Sequence, residues 1–400
     1  MRFLLASLSG QGFISSTLGL GLGLTRKGHE VKVVTDVSCE KQLSRHGLER
    51  IPRGLQDGPS FQTHIWGQPA SIAIQVKHLE FAINSFQPDV LVAQQLTLGS
   101  LIAAERMRIP VALLGFCTYL WPRLKDPEAR GDNSLKEWRY TNDIIALSRL
   151  RPAFGLPESS FAIRVSALLG DLFMVRSIPE LEGDISNLPE QVHLVGPCIW
   201  EDDDDDPELD DWLFECRQRS TPLIYVQQGR FFDRPHFWPK VLEGFGNTDI
   251  RVIACTGSMD CPVGEVPSNF FVRKQLPQKK VMRYTTAMIA SANTTAVLGS
   301  LIAGVPSLLI PAGGEQPDVA ERCFHARVAR VLDPAEVTPE RLRSELLQLV
   351  EDSEVRLKAG ELAVRFSQAN TFDTAISLME NLKTGSPVVR SESLCYSESL

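Results

Sequence analysis

The sequence predicts an α/β protein made of two Rossmann-like domains, each with a parallel sheet covered by helices on both faces. Short apolar runs alternate with helical segments up to residue 114, and the same alternation starts again after residue 220. Strands that alternate with helices are typical of a parallel sheet. Between the two halves, residues 202–206 are five adjacent aspartates, which repel one another and favour an exposed position. We therefore place the boundary near residues 200–220.

The N-terminal half contains four apolar runs of strand length, the second of which, Val-Lys-Val-Val-Thr, is rich in β-branched residues. These predicted strands are 3–7, 31–35, 90–93 and 111–114. Residues 9–16 are small and polar and are predicted to form a loop. Helices are predicted over 17–27 and 98–108, between successive strands.

The C-terminal half repeats the pattern with five predicted strands, at 223–226, 251–254, 270–273, 288–290 and 307–310. Helices are predicted over 295–303, 339–352 and 354–383, and the last part of the final helix, 371–383, is expected to return to the first domain. Residues 384–400 are rich in serine and lack periodicity, which indicates a flexible tail.

Composition and charge exclude several classes of protein. Of the 400 residues, 43% are hydrophobic and 22% are charged, which is ordinary for a globular chain. The net charge is −8, so the basic surplus of a nucleic-acid-binding protein is missing. The eight cysteines form no C-x-x-C pair, and no apolar run approaches the roughly 18 residues of a membrane helix. These features predict a cytoplasmic protein without a membrane span.

The most informative motif is Ser291-Ala-Asn-Thr-Thr295, which lies between a predicted strand and a predicted helix. Its small residues allow a ligand to approach the backbone closely, and its hydroxyls can either cap the helix or donate to phosphate. A helix N-terminus attracts anions through its free N–H groups and its dipole. Considered alone, the motif is better explained by simple helix capping.

Other motifs surround this loop in a specific order. They are Ala-Gly-Val-Pro at 303–306, Ile-Pro at 310–311, Gly-Glu-Gln-Pro at 314–317, Leu-Pro-Gln at 276–278, Tyr-Val-Gln-Gln-Gly at 225–229, Gly-His-Glu-Val at 28–31, Pro-Asp at 88–89 and Val-Gly-Pro at 195–197. Together they resemble the GT-B glycosyltransferases, in particular the plant UDP-glycosyltransferases and the bacterial antibiotic glycosyltransferases. The resemblance covers most of the chain.

This resemblance implies two Rossmann-like domains facing across a cleft. Residues 1–200 would bind the acceptor, 201–220 would be an acidic connector, and 221–370 would bind a nucleotide sugar with UDP or TDP. The 291–295 loop would bind the diphosphate, Leu276 and Gln278 the base or ribose, and Glu315 and Gln316 the sugar hydroxyls, with no metal or cofactor. The implied donor-binding residues are Gly229, Arg230, Gln275, Leu276, Gln278, Ser291, Asn293, Thr294, Thr295, Glu315 and Gln316.

The sequence also departs from the family. Ser291 replaces the histidine that usually begins the phosphate loop, Gly299 replaces a glutamate that holds the ribose, and Gln275 replaces the tryptophan that stacks on the base in plant members. Arg230 replaces a serine and can donate to diphosphate oxygens in its place.

In the acceptor half, the family's general-base histidine and its aspartate partner are replaced by Phe13 and Gln94. Neither residue can take a proton, so the catalytic residues are unknown, with His64 and Asp318 as candidate bases. An acceptor that is already anionic would need no base. The predicted acceptor-binding residues are Phe13, Trp66, Gln94, Phe116 and Tyr119, with Trp121 beside them.

The resemblance favours an inverting, metal-independent glycosyltransferase that modifies a small natural product. Three alternatives remain open at this point. The first is a non-catalytic GT-B protein that binds a nucleotide sugar or activates a partner enzyme. The second is an NAD-dependent oxidoreductase, because Gly10-Gln-Gly-Phe-Ile-Ser15 almost matches a dinucleotide fingerprint and Asp36 ends the second strand. The third is a sugar-nucleotide epimerase of similar fold. The oligomeric state is left open.

Overall fold

A computed structural model describes most of the chain. The described residues are 1–54, 61–115, 134–158, 167–183, 185, 188–202, 205–218, 221–227, 234–257, 265–369 and 371–382. They divide into two compact units. Unit 1 contains the described residues of 1–176, 185–198 and 371–382, and unit 2 contains those of 177–183 and 199–369. No helix in these ranges is long and apolar enough to span a membrane.

Unit 1 has a seven-stranded sheet in the order β3-β2-β1-β4-β5-β6-β7, and every pair of neighbours is parallel. The strands are β1 (Arg2–Ala6), β2 (Glu30–Val34), β3 (Glu49–Arg50), β4 (Val90–Gln94), β5 (Val111–Gly115), β6 (Leu172–Val175) and β7 (Val192–Leu194). The helices are α1 (Gln11–Arg26), α2 (Glu40–Arg45), α3 (Pro69–Phe86), α4 (Leu98–Met107) and α5 (Ser134–Leu150).

Unit 2 has a six-stranded parallel sheet in the order β10-β9-β8-β11-β12-β13. The strands are β8 (Leu223–Gln227), β9 (Arg251–Cys255), β10 (Phe270–Arg273), β11 (Ala287–Ala290), β12 (Ser307–Leu309) and β13 (Ala329–Val331). The helices are α6 (Pro179–Glu182), α7 (Pro207–Gln218), α8 (Arg234–Phe245), α9 (Gln278–Met282), α10 (Thr294–Ile302), α11 (Gln316–His325), α12 (Pro339–Glu351) and α13 (Ser353–Gln368).

Two expectations about the elements were wrong, and four strands were not predicted. The loop predicted over 9–16 is mostly helix, because α1 begins at Gln11. The polar side chain of Ser16 is accommodated in the helix by donating a hydrogen bond to the Phe13 carbonyl (2.9 Å). The helix predicted over 354–383 is interrupted at Ala369, whose backbone is extended, so that α14 (Thr371–Glu380) is separate. The sequence pattern predicted none of four short strands, β3, β6, β7 and β13. They are defined by their pairing with neighbouring strands in the sheets.

The segment predicted as an exposed connector over 201–220 is also corrected. Residues 207–218 form α7, which buries Leu209, Leu213 and Cys216 in the core of unit 2. Their i, i+4, i+7 spacing places them on one helix face. The aspartate run does not prevent this helix, because Asp206 caps it by accepting a hydrogen bond from the Leu209 N–H (3.1 Å).

Candidate active site

The predicted donor-binding residues of unit 2 follow three strands at the same edge of the sheet. Gln275 and Leu276 follow β10, Ser291 follows β11, and Glu315 follows β12. Because all strands are parallel, their carboxyl ends share one edge, where α/β proteins bind ligands. Gln275 is exposed there, whereas Leu276 is half-buried and packs against the core.

The Ser291 loop is a strained turn that leads into α10. Ser291 is fully buried, and its Oγ has no hydrogen-bond partner among the described residues. Ala292 adopts a left-handed backbone (φ +63°), which is costly for a residue with a side chain. Asn293 caps α10 by accepting a hydrogen bond from the Ala296 N–H (3.0 Å), and Thr294 and Thr295 form its first turn. The turn therefore presents a helix N-terminus and a buried, unsatisfied hydroxyl together.

Gln278 packs against α10 instead of lying open to a ligand. It is buried, and its Nε2 donates to the Ala296 carbonyl (2.8 Å). Gly299 provides the space, since a Cβ at that position would lie 2.5 Å from the Gln278 Nε2. The predicted contact of Gln278 with a base or ribose stays a prediction.

Gln316 shapes the loop that follows β12. Its side chain is buried, and its Oε1 accepts hydrogen bonds from the Ala312 N–H (2.9 Å) and the Gly313 N–H (3.3 Å). Glu315 is half-buried at the N-cap of α11. The Gln316 oxygen therefore serves its own loop, and Glu315 is the better placed of the two for a predicted contact with sugar.

Asp318, one of the two candidate bases, is engaged by another residue of the protein, which argues against a role as general base. Its side chain is only 2% exposed and forms a buried ion pair with Arg322, one turn later on α11. Arg322 also donates to Glu182 at 2.8 Å. The i, i+4 spacing of Asp318 and Arg322 was visible in the sequence and predicts such a pair on a helix.

In unit 1, the structure brings Phe13 and Gln94 together at the carboxyl ends of the adjacent strands β1 and β4. Gln94 is buried, and its Nε2 donates to the Phe13 carbonyl (3.3 Å), to Ser16 Oγ (3.2 Å) and to Thr17 Oγ1 (2.9 Å). Gln94 therefore ties β4 to the first turns of α1. Neither side chain can ionise, so this position cannot supply a base.

The other candidates in unit 1 are distributed differently. His64 is exposed on a single turn of 3₁₀ helix, and Trp66 is half-buried and packs on the core of unit 1. Phe116, Tyr119 and Trp121 of the acceptor half, and Gly229 and Arg230 of the donor half, lie outside the described residues.

The turn after β1 is closed to a dinucleotide, which argues against the oxidoreductase alternative. The Ser9 N–H donates to the Phe61 carbonyl (2.8 Å), and a Cβ on Gly10 would lie 2.9 Å from Thr63 Oγ1. Segment 61–63 therefore packs closely against the turn that leads into α1 and leaves little space beside it. Asp36 caps the next turn, accepting from the Ser38 N–H (3.1 Å) and hydroxyl (2.7 Å).

Sequence reasoning missed Arg176, which stabilises the turn before Phe13. Arg176 follows β6 and donates from Nε to the Pro197 carbonyl (2.9 Å) and from Nη1 to the Gly12 carbonyl (3.3 Å). Burial lowers the pKa of its guanidinium to about 10. An isolated arginine has no periodicity or motif, so nothing in the sequence indicates this role.

Comparison with known proteins agrees with this geometry. The model of the family "UDP-glucoronosyl and UDP-glucosyl transferase" matches residues 262–364, which include the Ser291 loop and Glu315. The chain is 23% identical to 4'-demethylrebeccamycin synthase of Lentzea aerocolonigenes, over 95% of this chain and 99% of that protein. It is 22% identical to the NDP-glycosyltransferase YjiC of Bacillus subtilis, over 92% and 94%.

These matches support a member of the UDP-glycosyltransferase family. Its fold is GT-B: the solved glycotransferase of kitacinnamycin matches it with a TM-score of 0.74 at 21% identity, over 95% of this chain and 98% of that one. The protein is thus a glycosyltransferase of the antibiotic and natural-product type. This glycosyltransferase departs from its family at the Phe13–Gln94 position.

Proposed function

We propose that this glycosyltransferase transfers a sugar from UDP or TDP to a small, anionic natural-product acceptor, with inversion and without metal or cofactor. The observation that carries the proposal is the turn at Ser291. The buried Ser291 hydroxyl has no hydrogen-bond partner among the described residues. Leaving such a group without a hydrogen bond costs about 1–3 kcal/mol of stability. A phosphate oxygen at the N-terminus of α10 would satisfy it.

The same turn explains how the leaving group is stabilised. As the acceptor oxygen attacks the anomeric carbon, the bond to the diphosphate breaks and negative charge grows on the departing phosphate. The N–H groups and dipole of α10 are already oriented toward an anion at that end. Preoriented donors of this kind stabilise a transition state without reorganisation. An attack opposite to the leaving group inverts the anomeric carbon in one step.

The acceptor class follows from the Phe13–Gln94 position. A neutral hydroxyl must lose its proton during the attack, and positioned general bases contribute roughly 10²–10⁴ in rate. Phe13 and Gln94 cannot supply one, and Asp318 is engaged by Arg322. A carboxylate, an acidic phenol or an enolate arrives without that proton. The name of the relative 4'-demethylrebeccamycin synthase supports a natural-product acceptor.

A second candidate is a non-catalytic protein that binds a nucleotide sugar, and the absence of an ionisable pair at Phe13 and Gln94 favours it. A panel of UDP- and TDP-sugars, screened by thermal stabilisation, tests the shared donor site. Product detection by mass spectrometry, with acidic aromatic and polyketide-like acceptors, separates the two candidates. Turnover that EDTA abolishes and a divalent cation restores would contradict the proposal that the transfer needs no metal.

The cytoplasmic location remains part of the proposal and is tested by cell fractionation.

A further inference from the structure

Helix α11 carries a buried charged cluster behind the loop that begins it. The cluster consists of Asp318 and Arg322 of α11 and Glu182 of α6. The side chains of Arg322 and Glu182 are 4% and 5% exposed, and that of Asp318 is 2% exposed. The guanidinium of Arg322 lies between the two carboxylates and bonds to both of them. One buried cation therefore neutralises part of the charge of two buried anions.

This cluster attaches α11 to a firmly packed neighbour. Glu182 is the last residue of α6, whose segment 177–183 packs into the core of unit 2 through Ile178 and Leu181. Without Arg322, its buried ion pairs with Asp318 and Glu182 would be lost, including the one that joins α11 to α6. Removing one partner of a buried ion pair is strongly unfavourable, so α11 would lose this attachment and shift.

The start of α11 is the part of the helix nearest the donor edge of the sheet. Gln316, its first residue, fixes the loop through the N–H groups of Ala312 and Gly313, and Glu315 is its N-cap. A displacement of α11 therefore moves Glu315 and the whole 312–316 loop. Small displacements of a binding group can cost large factors in rate and affinity.

We propose that Arg322 is a positioning residue for the sugar of the donor, acting through the placement of α11 and the 312–316 loop. The inference rests on the proposed function, since it requires a nucleotide sugar at this edge. The inference assigns the two parts of the donor, the nucleotide diphosphate and the sugar, to different elements of unit 2. The nucleotide diphosphate depends on the Ser291 turn, which has its own supports in the Asn293 cap and in the bond from Gln278 to α10. The sugar depends on α11.

The test compares the affinity for a complete UDP- or TDP-sugar with the affinity for UDP or TDP alone, by calorimetry on the full chain. In Arg322→Met we expect the dissociation constant of the sugar nucleotide to rise about tenfold or more, because a charge-assisted network is lost. The dissociation constant of UDP or TDP should stay within about twofold on the same reasoning. Arg322→Lys, which keeps the charge, should recover part of the loss.

The matched control is Arg330→Met, which breaks an ion pair of the same unit between β13 and α12 (Arg330 Nε to Glu345 Oε2, 2.7 Å). It should change neither affinity. If Arg322→Met does not fold, Glu182→Gln is measured instead, because it breaks the ion pair between α6 and α11, and the same selective loss of sugar-nucleotide affinity is expected. An equal loss for nucleotide and sugar nucleotide, or no loss for either, overturns the inference. A wild-type protein that binds neither ligand contradicts the proposed function itself.

Discussion

At the scale of single residues, Ser291 is the side chain on which the proposed phosphate contact depends most. In the family a histidine begins this loop, and here Ser291 puts a neutral hydroxyl in place of its imidazole. The Ser291 hydroxyl is buried and has no hydrogen-bond partner among the described residues. Its removal therefore tests the proposed contact without breaking a known hydrogen bond.

We predict that Ser291→Ala weakens binding of UDP or TDP by about tenfold to a hundredfold, corresponding to a charge-assisted hydrogen bond worth about 1.5–3 kcal/mol. The free energy of unfolding should stay the same or rise, because an unsatisfied group is removed. Calorimetry and urea unfolding measure the two quantities.

The control is Ser300→Ala on the same helix. Ser300 is equally buried, but its hydroxyl bonds to the Val297 carbonyl (2.8 Å) and to Ser307 Oγ (3.1 Å). Its removal should lower stability and leave nucleotide affinity unchanged. Unaltered nucleotide affinity in Ser291→Ala would show that the hydroxyl does not contact phosphate.

A second prediction at this scale concerns the lost base. Phe13→His combined with Gln94→Asp rebuilds the family's pair, yet we expect no gain in turnover because an anionic acceptor needs no base. Gln94→Asp also removes the donors to Ser16 and Thr17, so stability should fall by about 1 kcal/mol or more. Steady-state kinetics with the native acceptor decide the matter, and a tenfold rise in turnover would contradict an anionic acceptor.

At the scale of elements, α9 packs closely against α10 because Gly299 has no side chain. The family's glutamate cannot be accommodated there while Gln278 keeps its bond to the Ala296 carbonyl, because a Cβ would already overlap the Gln278 amide. The sequence shows that Gly299 departs from the family. Only the packing of α9 on α10 shows which neighbour occupies the space.

We predict that Gly299→Ala lowers the free energy of unfolding by about 1–2 kcal/mol, since the Gln278 amide must leave its hydrogen bond. Gly360→Ala is the control, because a Cβ at this glycine of α13 meets no other atom within 4 Å. It should raise stability by roughly 0.5–1 kcal/mol through helix propensity. Urea unfolding of both variants measures the two changes in the free energy of unfolding. Changes of the same sign would exclude the proposed overlap at Gly299.

At the scale of the whole molecule, buried thiols make the free energy of unfolding depend on pH in the alkaline range. Burial raises the pKa of Cys323 on α11 to about 12 from a usual value of 9.0. Above pH 9 the unfolded thiol loses its proton while the folded thiol keeps it, so the folded state binds more protons and stability falls as pH rises. Below pH 9 both states are protonated and the contribution is constant.

We therefore predict that Cys323→Ala reduces the loss of unfolding free energy between pH 9 and pH 10. The difference approaches about 1.4 kcal/mol per pH unit, the value for one proton. Urea unfolding at pH 7, 9 and 10 on both proteins isolates this group from others that titrate in the same range. Parallel pH profiles for the wild type and the variant would show that the thiol ionises equally in both states.

The sequence by itself determined the α/β class and the parallel sheets, and its motifs carried the resemblance to the GT-B glycosyltransferases. Strand–helix alternation and motif order are local signals, and they follow directly from the spacing of apolar residues and small-residue turns. The family resemblance identified Phe13 and Gln94 as the positions of the general base and its partner. From the same resemblance the Ser291 turn was predicted to bind a diphosphate, and this stays a prediction.

Only the tertiary structure decided what individual polar side chains contact. Asp318 was a candidate base, and the structure shows that it is buried in an ion pair with Arg322. Gln278 and Gln316 were predicted to contact the donor; the structure shows that their amides bond to α10 and to the 312–316 loop, and the ligand contacts stay predictions. The aspartate run was expected to keep its neighbours exposed, but Leu209 and Leu213 pack in the core. A polar group has several possible partners, and residues distant in sequence determine which of them is within hydrogen-bonding distance.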